Sequence, residues 1–219
     1  PFPFPFPFLF FSTPASPASS HLTAPRPPSS HTPRPTDPGT IPDCIGSDLT
    51  SLEWLDLSSN KLDGTIPQSL CLIGDSLTDF LTLHHNKLTG RIPECFGTSF
   101  PALPTMQLQD NSLTGGLPQT WSPTNALNSL MVSNNPDLGG KLPDSLFKMS
   151  DLRQVIAEGS GLKGSLPLEL CNATNLESLY LASNEIHGEL PLCITNLTNL
   201  KELSAPFNNI EGTIPTSLN

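Results

Sequence analysis

Basic side chains are scarce in this sequence of 219 residues, which has 10 Lys and Arg against 20 Asp and Glu and a formal net charge of −10. Binding to nucleic acid needs clustered Lys and Arg that neutralise phosphates, so this balance argues against a nucleic-acid partner. The apolar opening PFPFPFPFLFF, at residues 1–11, is well short of the roughly 20 residues that a spanning helix needs. We therefore expect membrane contact only through a segment missing from this chain.

The same opening stretch makes a poor signal peptide, because it has no initiating Met, no basic region and a proline at every second position. Twelve of the 25 prolines fall within residues 1–38. The composition predicts that residues 1–37 are a Pro-rich disordered tail or linker. A hydroxyproline-rich segment of an extensin-like cell-wall protein is the alternative.

Catalytic signatures are also missing: no Ser-His-Asp grouping, phosphate loop or carboxylate pair stands out. His84 and His85 lie one repeat away from Asp110, which suggests a metal site. Adjacent residues on a strand point to opposite faces, so shared coordination is disfavoured. We expect no catalytic residue, no metal, no cofactor and no enzymatic activity.

The main feature of the sequence is a repeat of 24 to 26 residues with the pattern LxxLxLxxNxL, first seen as LEWLDLSSNKL at residues 52–62. Each copy is followed by G-x-(I/L)-P, and the chain holds seven copies after the end of an earlier one. The residues in the asparagine slot are Asn60, Asn86, Asn111, Asn135, Ser160, Asn184 and Asn208.

The segments KLDGTIPQSL, KLTGRIPECF and NIEGTIPTSL closely resemble the plant-type leucine-rich repeat family. This resemblance implies an α/β-type repeat solenoid, a right-handed superhelix with a concave parallel β-sheet and short 3-10 or irregular convex segments. It covers a solenoid domain at residues 38–219, made of a partial repeat at 38–48 and seven full repeats. We expect the chain to be a fragment of a longer protein.

Alternating leucines in each repeat predict one inward-facing row that neighbouring turns bury together. The slot asparagine has donors and an acceptor on one amide, which suits a ladder of bonds to backbone groups of adjacent turns. Ser160 lacks the amide and Ala157 replaces a strand leucine. We predict that the fifth repeat is the weakest.

The five cysteines are an odd number, so one has no partner within the chain. The offset between Cys71 and Cys95 recurs between Cys171 and Cys193, which favours these two disulfides. Buried free thiols are the alternative. Similar cysteine pairs in plant extracellular leucine-rich repeats support the disulfides, and Cys44 is left as the end of a lost or replaced repeat.

Two N-x-T sequons place candidate glycans at Asn172 and Asn196, which occupy equivalent positions in adjacent repeats. With the cysteine pairs they favour the secretory pathway and an extracellular or cell-surface location.

The outward positions of the strands predict a protein- or peptide-binding surface on the concave face. A run of apolar side chains there would mark a partner site, although a harmless apolar column is the alternative, and the two amino-terminal aromatics could instead pack beneath a missing repeat. The candidate residues are Met131, Ile156, Tyr180, Phe207, Trp54, Phe80 and Gln107.

The family resemblance implies two functions. The first is the ligand-binding ectodomain of a receptor-like kinase or receptor-like protein, in signalling or defence. The alternative is a secreted inhibitor similar to polygalacturonase-inhibiting proteins.

Overall fold

The repeats fold into a solenoid of parallel strands, as the sequence predicts. The computed structural model describes residues 39–214, which lie within the compact unit Pro35–Asn219. The predicted tail at residues 1–37 falls outside the described residues. Within residues 39–214 no helix has the length and apolar character needed to cross a membrane.

Twelve short strands occur in the described part of the chain. In chain order they are β1 (Leu55–Asp56), β2 (Phe80–Thr82), β3 (Thr89–Arg91), β4 (Thr105–Gln107), β5 (Ser112–Thr114), β6 (Ser129–Met131), β7 (Gln154–Ile156), β8 (Lys163–Gly164), β9 (Ser178–Tyr180), β10 (Glu185–Glu189), β11 (Glu202–Ser204) and β12 (Asn209–Glu211).

One strand from each repeat joins a seven-stranded parallel sheet in the order β1-β2-β4-β6-β7-β9-β11. The strands pair in register, so Leu81, Leu130 and Leu179 occupy one inward row and are fully buried. Alternation puts the flanking residues on the opposite, outward surface. Leu203 is 38% exposed, because β11 is the last strand of this sheet among residues 39–214.

Within residues 39–214 a second row of strands forms where five of the seven repeats turn away from the main sheet. β3 pairs with β5, and β8, β10 and β12 form a three-stranded sheet. The glycine of the G-x-(I/L)-P motif lies within three of these strands and directly after β5 and β12, and its φ is +73° at Gly90. Glycine suits this left-handed conformation because it has no Cβ.

Short 3-10 helices lie on the side of the solenoid opposite the main sheet, each directly after a repeat proline. Proline restricts the backbone φ of the residue before the helix. It has no N–H group, and no hydrogen bond from an N–H is needed at this position. After Pro118 residues 119–128 form no helix, and the buried Trp121 donates from Nε1 to the Pro118 carbonyl at 2.7 Å. The 3-10 helices are Gln68–Ile73, Glu94–Gly97, Asp144–Lys148, Leu168–Asn172 and Leu192–Asn196.

The slot asparagines form a hydrogen-bond ladder along the solenoid. Asn135 is fully buried, and its Nδ2 donates to the Leu108 carbonyl of the preceding repeat at 3.1 Å and to the Val132 carbonyl at 2.9 Å. Its Oδ1 accepts from the Leu113 amide at 3.0 Å. The ladder satisfies backbone groups that turn away from the strands, as buried polar groups require.

Ser160 continues this ladder with fewer bonds. Its buried hydroxyl donates to the Val132 carbonyl of the preceding repeat at 2.9 Å, where an asparagine amide would donate. An asparagine in this slot would also accept a hydrogen bond from the Leu138 amide. Here that amide donates to the Asn135 carbonyl instead. The extra residue in the fourth repeat, at NPDLGG, shifts the backbone there.

Two disulfides link neighbouring repeats, Cys71–Cys95 with a Cα separation of 6.1 Å and Cys171–Cys193 with one of 5.6 Å. Cys44 is a free, exposed thiol. It begins α1 (Cys44–Asp48), which contacts the 3-10 helix of the next repeat.

The sequon asparagines Asn172 and Asn196 are exposed. Each is the last residue of a 3-10 helix, so both lie on the convex segments in equivalent positions.

Candidate ligand-binding face

The outward surface of the main sheet is the candidate site. Strand register aligns one outward residue from each of the seven strands in a single row, which we call the central column. The central column comprises Asp56, Thr82, Gln107, Met131, Ile156, Tyr180 and Ser204.

The apolar residues of the central column are less exposed than the sequence suggests. Met131, Ile156 and Tyr180 are half-buried, and Thr82 is 7% exposed. Strands in a sheet lie about 4.8 Å apart, so neighbouring side chains cover one another's flanks. All three side chains nevertheless keep part of their surface exposed. Their outer ends still form a continuous surface.

Two aromatic side chains lie at the β1 end of the face. The rings of Trp54 and Phe80 are 5.6 Å apart at an interplanar angle of 37°, and Trp54 is 43% exposed. Phe207, at the other end, is 83% exposed. It lies in the turn after β11 rather than in the central column, with a φ of +56°.

Asp56 is held in place by three donors, all directed at one oxygen. Its Oδ1 accepts from the Ser58 hydroxyl at 2.6 Å, the Ser58 amide at 2.9 Å and the Thr82 hydroxyl at 2.8 Å. Partial burial raises the pKa of Asp56, but these hydrogen bonds outweigh burial and bring the pKa below its ordinary value. The carboxylate is therefore charged and oriented.

A similar arrangement occurs on β9 and β11. The Glu202 Oε2 accepts from the Tyr180 hydroxyl at 2.6 Å and the Ser178 hydroxyl at 2.9 Å. The bond from Tyr180 lowers the pKa of Glu202, and the same bond raises the pKa of Tyr180. The tyrosine hydroxyl is consequently fixed beside a negative charge.

The two basic residues directly before strands of the main sheet share one carboxylate at one margin of the face. Arg153 Nη1 lies 2.9 Å from Glu177 Oε1, and Lys201 Nζ binds the other oxygen of Glu177. These hydrogen bonds, from Lys201 first and then Arg153, lower the pKa of Glu177. The three residues occupy equivalent positions in successive repeats, so the stacking of the solenoid brings them together.

The opposite margin carries the two histidines. His85 Nδ1 lies 3.3 Å from Asp110 Oδ2, and Asn134 Nδ2 donates to Asp110 Oδ1 at 2.7 Å. Burial lowers the pKa of His84, and the charge of His85 lowers it further. Among residues 39–214 no three His, Cys, Asp or Glu side chains are grouped so as to hold a metal ion.

Sequence reasoning identified the central column but missed the polar residues that fix it. Glu202, Ser178 and Glu177 were not singled out, although repeat spacing carries a usable signal. Residues 153, 177 and 201 are each 24 apart, which places opposite charges on adjacent strands.

Comparison with known proteins identifies the repeats. The family model described as Leucine Rich Repeat matches residues 51–73, 79–99 and 175–197. A receptor protein kinase-like protein of Arabidopsis thaliana is 39% identical over 95 residues, or 43% of this chain and 12% of the relative. Receptor-like protein 31 of the same plant is 37% identical over 88 residues, or 40% of this chain and 10% of the relative. The chain thus spans a small part of these relatives.

Solved structures with the same fold include plant receptor ectodomains. The plant peptide hormone receptor RGFR1, solved in complex with RGF2, aligns with a TM-score of 0.75 at 31% identity, covering 82% of this chain and 28% of that one. The ectodomain of the receptor kinase GASSHO1/SCHENGEN3 from Arabidopsis thaliana, in complex with CASPARIAN STRIP INTEGRITY FACTOR 2, aligns with a TM-score of 0.58 at 26% identity. That alignment covers 82% of this chain and 27% of that one.

Proposed function

Because the chain is a plant-type leucine-rich repeat protein, we propose that it is an extracellular module that binds a protein or peptide ligand on its concave face. It acts as part of the ectodomain of a receptor-like kinase or receptor-like protein. Such a module takes part in signalling or defence.

The central column is the observation that carries this proposal. The inward residues repeat from strand to strand, whereas the outward ones change from carboxylate to amide to thioether to phenol. The hydrophobic core requires the repeated inward residues, whereas the fold does not require the varied outward residues. A surface with a half-buried apolar middle and oriented polar ends is suited to recognition.

The relatives support a receptor role. A plant peptide hormone receptor and the ectodomain of a plant receptor kinase, which share this fold, were solved in complex with RGF2 and with CASPARIAN STRIP INTEGRITY FACTOR 2. Disulfides between repeats and exposed sequons agree with an oxidising, extracellular setting. Mass spectrometry of native material tests the setting, and glycans at Asn172 and Asn196 are the expected result.

A random peptide library displayed on phage tests the binding role. Peptides selected on the full chain are expected to lose binding when the central column carries the double substitution Met131→Lys and Ile156→Lys. The matched control is Leu192→Lys, an exposed leucine on a convex 3-10 helix.

The expected result is loss of binding in the double variant and retention in the control, with circular dichroism showing that both variants fold. Equal binding by all three chains, or failure to select any peptide, would refute the proposal.

A further inference from the structure

The two ends of the candidate face each carry one carboxylate that is anchored through a single oxygen. At Asp56 all three hydrogen bonds reach Oδ1, and at Glu202 both reach Oε2. Within residues 39–214 no hydrogen bond to the second oxygen of either group is present. A carboxylate can accept about four hydrogen bonds. Each group is thus fixed by the sheet and has an oxygen available to a ligand.

Neither carboxylate forms an ion pair within residues 39–214. The basic residues on or directly before the strands of the main sheet are Arg153 and Lys201, and both bind Glu177. Glu53 and Asp79, which are exposed beside β1 and β2, form no ion pair among residues 39–214. The Asp56 end of the face is therefore negative. At the other end Arg153 and Lys201 together balance the charges of Glu177 and Glu202, but Glu202 itself forms no ion pair among residues 39–214.

The middle of the central column is uncharged. Gln107, Met131 and Ile156 occupy consecutive strands between the charged ends. The half-buried thioether and branched side chain are suited to apolar contacts. A complementary ligand is apolar in its centre and positively charged towards its ends.

Resting on the proposed function, we infer that the ligand is a cationic peptide whose Lys or Arg side chains bind Asp56 at one end of the candidate face and Glu202 at the other. Asp56 lies on the first strand of the main sheet and Glu202 on the seventh. Six steps of about 4.8 Å separate these strands by roughly 29 Å. An extended peptide rises about 3.3 Å per residue, so the two cationic groups lie about nine residues apart.

The geometry separates this ligand from two others. An anionic oligosaccharide would face Asp56 at one end and Glu202 at the other, neither of which has an ion-pair partner within residues 39–214. A peptide with clustered charges would reach one carboxylate and leave the other unpaired. Charge-assisted hydrogen bonds from Arg or Lys to oriented carboxylates are about twice as strong as neutral ones, so pairing at both ends determines specificity.

Selection from the phage library tests the inference with the full chain. The peptides are about twelve residues long, enough to span the sheet. The expected result is enrichment of Lys or Arg at two positions about nine residues apart, with apolar residues between them. Binding should weaken as sodium chloride rises from about 0.05 M to about 0.5 M.

Two substitutions test whether Asp56 and Glu202 each bind the peptide. Asp56→Asn and Glu202→Gln should each weaken the selected peptides by about three- to fivefold, and the double variant by the product of the two factors. Asp144→Asn is the matched control, because this exposed carboxylate lies on a convex 3-10 helix and should leave binding unchanged.

We expect each basic residue of a selected peptide to pair with one of the two carboxylates. When one basic residue of the peptide is replaced, either Asp56→Asn or Glu202→Gln should no longer weaken binding, and the other substitution should still weaken it. Selection of neutral or acidic peptides that still require Met131 and Ile156 would overturn the inference and leave the proposed function intact. Selection of no peptide would overturn both.

Discussion

At the scale of single residues, the slot asparagines make the largest polar contribution to the solenoid. Asn135→Ala removes the acceptor of the buried Leu113 amide, and it removes one of the two side-chain donors to each of the Leu108 and Val132 carbonyls. Each buried unsatisfied group costs about 1–3 kcal/mol. We expect the free energy of unfolding to fall by about 3 kcal/mol, measured by urea denaturation.

Asn60→Ala is the matched control. Asn60 is exposed, and its amide bonds are confined to the Leu57 and Ser58 carbonyls of its own repeat. Its substitution should cost about 1 kcal/mol or less. Equal losses of unfolding free energy for Asn135→Ala and Asn60→Ala would show that burial does not determine how much a slot asparagine stabilises the fold.

Glu177 gives a prediction about pH. Hydrogen bonds from Lys201 and Arg153 lower its pKa in the folded protein, so the folded state binds fewer protons than the unfolded state. The resulting stabilisation is present above the unfolded pKa and is lost as the pH falls through the folded pKa. The stability difference between the natural chain and Glu177→Gln should therefore shrink as the pH falls from about 5 to about 3.

Urea denaturation across this pH range provides the measurement. Glu211→Gln serves as the control, because Glu211 is exposed and forms no ion pair within residues 39–214. Its stability difference from the natural chain should vary less with pH. A constant difference for Glu177→Gln would contradict the assigned ion pairs.

At the scale of one structural element, we predict that the β7 strand of the fifth repeat exchanges its amide hydrogens faster than its neighbours. Ala157 fills less of the core than a leucine, and Ser160 makes fewer ladder bonds than Asn135. Hydrogen exchange resolved by mass spectrometry should show lower protection in Gln154–Ile156 than in Ser129–Met131 and Ser178–Tyr180. Equal protection in the three strands would refute this prediction.

Close approach between adjacent convex segments gives a second prediction for the elements. A Cβ on Gly97 would lie 1.9 Å from the Thr120 carbonyl oxygen. Because the obstacle is backbone, the segments would have to separate, and Gly97→Ala should cost about 3 kcal/mol. Gly159→Ala should cost only about 1 kcal/mol, since its nearest contact is 3.4 Å away and left-handed strain alone applies. Urea denaturation of both variants measures the difference.

Element positions were largely predictable from the repeat, whereas side-chain exposure was not. Every slot residue follows a strand of the main sheet by four positions, as Asn86 follows Thr82, so one aligned motif locates all seven strands. The second row of strands was missed because four of its five strands have only two or three residues, too few for hydrophobic alternation to be recognised. Burial of Met131 depends on neighbours from other repeats, which a pattern within one repeat does not contain.

At the scale of the whole molecule, stability is distributed along the solenoid. Each repeat contacts its sequence neighbours, so stability is approximately a sum of repeat and interface contributions. The disulfides strengthen two such interfaces, between the first two 3-10 helices and between the last two within residues 39–214. The carboxylates proposed to bind ligand, Asp56 and Glu202, lie on the end strands of the same sheet. Local unfolding at one end of the solenoid should therefore disrupt the ligand contact at that end while the contact at the other end is still intact.

This distribution leads to a prediction for the Cys171–Cys193 disulfide. A link across 22 residues stabilises by about 3 kcal/mol through the unfolded chain, so the double substitution Cys171→Ser and Cys193→Ser should lower the free energy of unfolding by about that amount. Hydrogen exchange should accelerate in β9 and β11 and remain unchanged in β2, because repeats interact with their neighbours only. Cys44→Ser, which removes an exposed free thiol, should change neither measurement. Uniform acceleration across all strands would instead show that the solenoid unfolds as one cooperative unit.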